Sequence, residues 1–130
     1  MESQYSRFYS HFFKKIAIVD TIVLACLWYD AIVAFDFGGH FGVGVGSIVL
    51  LINVVLLSLY SFSCHSFRHL IGGQLDQFSK CPTRYKLWGC ASLLNHNHML
   101  WAWISLFSVA LADFYIRLVA SGAITDVRLL

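Results

Sequence analysis

The sequence predicts an all-α membrane protein: three transmembrane helices in a bundle, with a short N-terminal interfacial helix. Two observations carry that expectation. Charged residues make up 12% of the 130, against about 25% in an ordinary soluble domain, too few to cover a water-soluble globule. The apolar residues gather into three stretches, from about Ile16 to Phe37, Val43 to Cys64 and Met99 to Ala120. Each is near the ~20 residues that carry a helix across a hydrocarbon core of ~30 Å. Lipid leaves backbone polar groups no outside partner, so the spans are helices; barrel strands would alternate, and these do not. With their polar ends the helices are expected at about 16–37, 43–69 and 97–122, within a single domain of residues 1–130.

Each element has its own signal. The opening "MESQYSRFYSHFFKK" is aromatic and amphipathic, placing Tyr5, Phe8, Tyr9, Phe12 and Phe13 at headgroup level as an interfacial helix. Asp20 and Asp30 interrupt the first apolar stretch, and no cleavage-site pattern follows it, so a signal peptide is not expected. The second stretch is the cleanest, with no Asp, Glu, Lys or Arg between Phe41 and Phe67. The glycine run before it, "GGHFGVGVG", is no nucleotide loop, because no strand precedes it and a lipid-length helix follows. Gly42 and Gly46 form a GxxxG, which permits close helix packing.

Basic residues set the expected orientation. Arg7, Lys14 and Lys15 precede the first helix, "DFGGHFG" after it has none, and Arg68, Lys80, Arg84 and Lys86 lie between the second and third. The positive-inside rule then puts the N-terminus and the 65–98 loop on the cytoplasmic, or matrix-equivalent, side and the C-terminus outside. A net charge of +2 points to no nucleic-acid partner. Of the four cysteines, Cys64, Cys81 and Cys90 fall on the reducing side and Cys26 within the membrane, so disulfides are not expected. No CxxC is present, which argues against a zinc ribbon.

The chemistry-bearing groups gather on the inner side. In "SLYSFSCHSFRHLIGG", Cys64, His65, Arg68 and His69 follow directly on the second span. If that helix runs on through Arg68, His65 and His69 share a face, about 6 Å apart along the axis, and the helix stops at Gly72-Gly73. "LLNHNHMLWAW" puts His96 and His98 at the mouth of the third helix. Two histidine groups at one depth suit a haem between axial imidazoles, or nitrogen ligation of an iron–sulfur cluster. A histidine at a helix end is, against that, commonly just an interfacial hydrogen-bonding residue. His11 and His40 lie outside the cluster. Asp113 and Arg117, four apart, read most simply as an ion pair. Asp20 and Asp30 are intramembrane carboxylates, which serve proton movement or pair across helices. Trp101, Trp103 and Tyr115 either anchor the helix at the interface or line a quinone pocket.

The segments "SCHSFRHLIGG" and "LNHNHMLWAWISLFSVALADFYIRLVASGAITD", roughly Gly38 to Leu130, resemble the membrane anchor of a bacterial succinate dehydrogenase (succinate:quinone oxidoreductase, complex II). The similarity is greatest to the cytochrome b-type subunits of actinobacterial and related lineages. It implies a membrane-anchor domain that docks the iron–sulfur and flavoprotein subunits and passes electrons to quinone, without catalysing anything alone. It further implies haem b or a membrane-embedded iron–sulfur cluster, with His65, His69 and His98 as iron ligands and Cys64 and Arg68 beside them. Trp101, Ser66 and Asp113 become quinone-site candidates. The better-known anchor pattern has a haem-ligating histidine seven residues before that of its RHL triplet. Here Arg68-His69-Leu70 is the triplet, Phe62 stands at that place, and the nearest upstream imidazole is His65. Anchors of this type carry more helices per complex, so the remaining ligands are expected from a second membrane subunit, or from the rest of a longer chain.

Two alternatives stay open on the residues alone. One is a cofactor-free structural or assembly membrane protein with interfacial histidines. The other is a small proton-coupled transporter subunit using Asp20, Asp30 and Asp113, which would place those carboxylates at one depth.

Overall fold

A computed structural model describes residues 2–36, 38–72 and 82–130, with the side chains of residues 2–10 and of His69 outside the description. Five helices follow in order: α1 Glu2–Val33, α2 Val45–Ser63, α3 His65–Gly72, α4 Pro82–His96 and α5 His98–Ala120. Three stretches are long and apolar enough to cross a membrane: His11–Val33, Val45–Ser63 and His98–Ala120.

The protein is thus an all-helical, multi-pass membrane protein, but three boundaries differ from expectation. Residues 2–15 form no separate helix, because the backbone stays helical from Glu2 into the first span. The helix expected over 43–69 breaks at Cys64, whose ψ of 143° is extended. The presumed loop 65–98 holds two helices, α3 and α4, while Lys80 and Cys81 lie outside the described residues.

Helix α2 is central, packed against both α1 and α5. Leu24 and Ala31 of α1 meet Val54 of α2, with Leu27, Trp28, Leu51 and Leu57 around them. The Trp28 indole donates to the Ser58 hydroxyl at 3.0 Å, which donates to the Val54 carbonyl at 2.7 Å. The Ser47 hydroxyl donates to the Ala34 carbonyl. Buried positions include Ser47, Ser58, Ser61, Ser63 and Ser105, while Ile22, Ile52, Phe107 and Leu111 face outward. That inversion follows from a lipid solvent: large side chains suit the acyl chains, and small ones let helices approach closely.

Two close approaches shape the ends. At one end, the Arg68 guanidinium lies over the Trp88 ring, 4.8 Å from its centroid, and Arg84 donates to the Ile71 carbonyl at 2.7 Å. A Cβ on Gly72 would come within 2.4 Å of the Trp88 ring, so glycine is needed for α4 to fold against α3. At the other end, the C-terminal tail returns to the start of α2. Val45 N–H donates to the Val127 carbonyl at 3.0 Å, and Leu129 N–H to the Val43 carbonyl at 2.7 Å. The Asp126 carboxylate accepts from Gly46 N–H at 3.0 Å and from the Tyr115 hydroxyl at 2.7 Å, capping a helix N-terminus from 80 residues away. Gly46 therefore serves this contact, with Asp126 and Tyr115 within 3.3–3.5 Å of where a Cβ would sit. Gly42 lies in the turn before α2, its N–H bonded to the Phe35 carbonyl at 2.9 Å, so the GxxxG pair does not share a helix face.

Candidate functional site

The two helix interruptions, at Cys64 between α2 and α3 and at Asn97 between α4 and α5, come together at one end of the bundle. At the first, Cys64 N–H bonds the Ser61 carbonyl at 3.1 Å in place of a regular helical acceptor. The Tyr60 carbonyl so released takes the Ser63 hydroxyl at 2.7 Å. The Ser63 carbonyl, also released, accepts from the Asn95 side-chain amide at 2.8 Å. The Ser63 oxygen contacts His98 Nδ1 at 2.7 Å as well, and the His98 ring stacks on Tyr60 with centroids 5.1 Å apart. Ser63 is fully buried.

The Ser63 hydroxyl carries one proton and has two neighbours at 2.7 Å, the Tyr60 carbonyl and His98 Nδ1, so the His98 tautomer follows from which of the two takes that proton. In either case the contact is made through Nδ1 and leaves Nε2 as the nitrogen pointing away from Ser63. An imidazole held through its other nitrogen is the usual arrangement of a metal-ligating histidine.

The other expected ligands are arranged less tightly. Cys64 is half-buried, His65 opens α3 and is exposed, and the His69 side chain lies outside the described residues. His96 is exposed, its Nδ1 3.3 Å from the Asn97 amide oxygen. Among the described residues no three His, Cys, Asp or Glu side chains converge on one point. Ser66 is buried on α3. Trp101, one turn into α5 from His98, has its indole N–H buried and without a partner among the described residues. Asp113 is not brought to this end: it lies further along α5, exposed, and pairs with Arg117 at 2.8 Å.

Residues 6–122, which take in most of α1 and all of α2 to α5, match the family model for the actinobacterial succinate dehydrogenase subunit SdhC. The chain belongs to that family. A chain of the solved Mycobacterium smegmatis Sdh1 complex in the apo form agrees with it in fold and sequence, with a TM-score of 0.83 and 47% identity. The match covers 90% of this chain and 44% of that one, so this succinate dehydrogenase subunit spans less than half the length of the solved chain. No curated protein matches it. The family match also takes in α1, beyond the stretch from Gly38 onward that carried the sequence resemblance.

Reading residues alone singled out the imidazoles of this SdhC subunit but not the groups that hold one of them. Ser63 and Asn95 are ordinary polar residues in sequence. The one available signal is adjacency, since Ser63 directly precedes Cys64-His65 and Asn95 directly precedes His96. Asp126 was likewise silent, because its partners Tyr115 and Gly46 belong to two different helices.

Proposed function

We propose that this subunit anchors the iron–sulfur and flavoprotein subunits of a bacterial succinate dehydrogenase at the inner membrane and passes their electrons to quinone. The observation that carries the reading is His98, held through Nδ1 by Ser63 where the two helix interruptions meet. Its other ring nitrogen, Nε2, is the one proposed for an iron centre, either haem b or an iron–sulfur cluster, and Cys64 and His65 at the start of α3 add a thiol and a second imidazole to the donor set. His69, one turn beyond His65, is the third imidazole proposed for this end. The chain supplies part of the ligand set and neighbouring membrane helices the rest. Such a centre, when bound, accepts and releases one electron at a time.

The chain's own residues do the remaining work. The Ser63 hydroxyl holds the imidazole ring in place. The buried Trp101 N–H, lacking an acceptor among the described residues, suits a quinone carbonyl oxygen, and Ser66 stands on the adjoining helix. Arg68 is proposed to flank the centre, although its guanidinium is engaged on Trp88. Asp113, paired and exposed, drops out of the quinone site. The proposed orientation keeps the N-terminus and α3–α4 in the cytoplasm, where the soluble subunits dock.

The test is a reduced-minus-oxidised visible spectrum of the purified membrane complex, with iron and acid-labile sulfide determined on the same sample. A sharp α band assigns haem; membrane-subunit iron and sulfide without that band assign a cluster. Absence of both overturns the electron-transfer reading and leaves a cofactor-free anchor.

A further inference from the structure

His98 is held on two sides by a single turn of α2. The Ser63 oxygen meets the edge of the imidazole at Nδ1, 2.7 Å away, and the Tyr60 ring lies on its face, with centroids 5.1 Å apart and planes 14° from parallel. Tyr60 also anchors the edge contact, because its carbonyl stands 2.7 Å from the Ser63 hydroxyl. Edge and face together set where Nε2 points. Among the described residues His98 is the one histidine stacked on an aromatic ring, while His65 and His96 stand exposed.

A stack of this kind does more than pack. Nearly parallel rings at this separation are offset, and the phenol ring turns a negative π face to its neighbour. An imidazole that ligates iron gives electron density to the metal, more so when the metal is oxidised, and its own ring becomes the more positive. The π face of Tyr60 stabilises that positive ring as it would a cation. The oxidised form of the centre is therefore favoured over the reduced form, and the midpoint potential is lowered.

We infer that Tyr60 is a positioning residue of the redox centre: it holds the His98 ring by stacking and lowers the potential at which the centre takes up its electron. A lower potential at this point favours onward transfer of the electron to quinone. The inference rests on the proposed ligation of iron by His98, and adds to that site a residue that acts through the imidazole.

The test is a potentiometric titration of the purified membrane complex, followed by the visible band of a haem or the low-temperature electron paramagnetic resonance signal of a cluster. Tyr60→Leu removes the ring, and pentafluorophenylalanine in place of Tyr60 keeps the ring but inverts its quadrupole. Both should raise the potential, changing the oxidised-to-reduced ratio at a fixed potential roughly two- to tenfold, a shift of up to about 59 mV for a one-electron centre. Tyr60→Phe, which retains an electron-rich ring, should keep the potential of the unmodified complex. The fluorinated variant carries the test where Tyr60→Leu fails to assemble. His98→Ala, titrated alongside, separates the two levels: an unaltered centre in that variant overturns the ligation and the inference with it. Loss of the centre in His98→Ala, with an unshifted or lowered potential in Tyr60→Leu and the fluorinated variant, overturns the inference alone.

Discussion

Ser63 and His98 stand 2.7 Å apart, and that contact joins two helix interruptions that are 35 residues apart in the chain. The break at Cys64 frees two carbonyls, and the second interruption brings the side chains that help satisfy them. A regular helix through Cys64 would leave Ser63 no reason to hold an imidazole.

Ser63→Ala removes the hydroxyl that contacts the Tyr60 carbonyl and His98 Nδ1. Leaving such groups unpaired in a buried place costs about 1–3 kcal/mol. The variant complex should melt at a lower temperature and bind its redox centre less fully. An unchanged melting curve would show that the network does not support the junction.

Asp126→Ala should destabilise the subunit by about 1–2 kcal/mol, since it deletes a helix cap together with a side-chain hydrogen bond. Tyr115→Phe removes only one of the two bonds and should have the smaller effect. Thermal denaturation of the detergent-solubilised complex orders the two variants, and a larger loss for Tyr115→Phe contradicts the capping role.

Gly72→Ala and Gly89→Ala form a contrasting pair. The first drives a methyl group against the Trp88 ring, whereas a Cβ at Gly89 meets nothing within 4 Å. Overpacking at Gly72 should cost about 1–3 kcal/mol, and alanine at Gly89, inside α4, should be neutral or stabilising by up to about 1 kcal/mol. Equal stabilities would mean that α3 and α4 do not meet through Trp88.

Asp113→Asn breaks an exposed ion pair on α5 and should leave succinate:quinone reductase activity unchanged. Trp101→Phe keeps an aromatic side chain, smaller than the indole, and removes the N–H, so it should raise the KM for quinone. The opposite ranking would return Asp113 to the quinone site.

The spans were legible in sequence because lipid imposes a length and a composition, and Val45–Ser63 and His98–Ala120 fall within two residues of the apolar stretches 43–64 and 99–120. The interruption at Cys64 was not, since "LYSFSCHSF" contains neither proline nor glycine and reads as continuous helix. It is explained only by partners in α4 and α5, which local pattern cannot reveal. α4 was hidden for a related reason: Arg84, Lys86 and the neighbouring polar residues look like a loop until Trp88 and Arg84 are seen packed on α3. At the site, the imidazoles announced themselves by type, whereas Ser63 and Asn95 acquire meaning only from the contact between junctions.

The central claim is that imidazoles at this junction hold the redox centre. The most direct measurement is the cofactor content of assembled complexes carrying His98→Ala, His65→Ala or His40→Ala, compared at equal subunit levels. The first two should lose most of the iron-centred absorbance or membrane-subunit iron, while His40→Ala, in the turn between α1 and α2, retains it. Equal cofactor content in all three would contradict the claim.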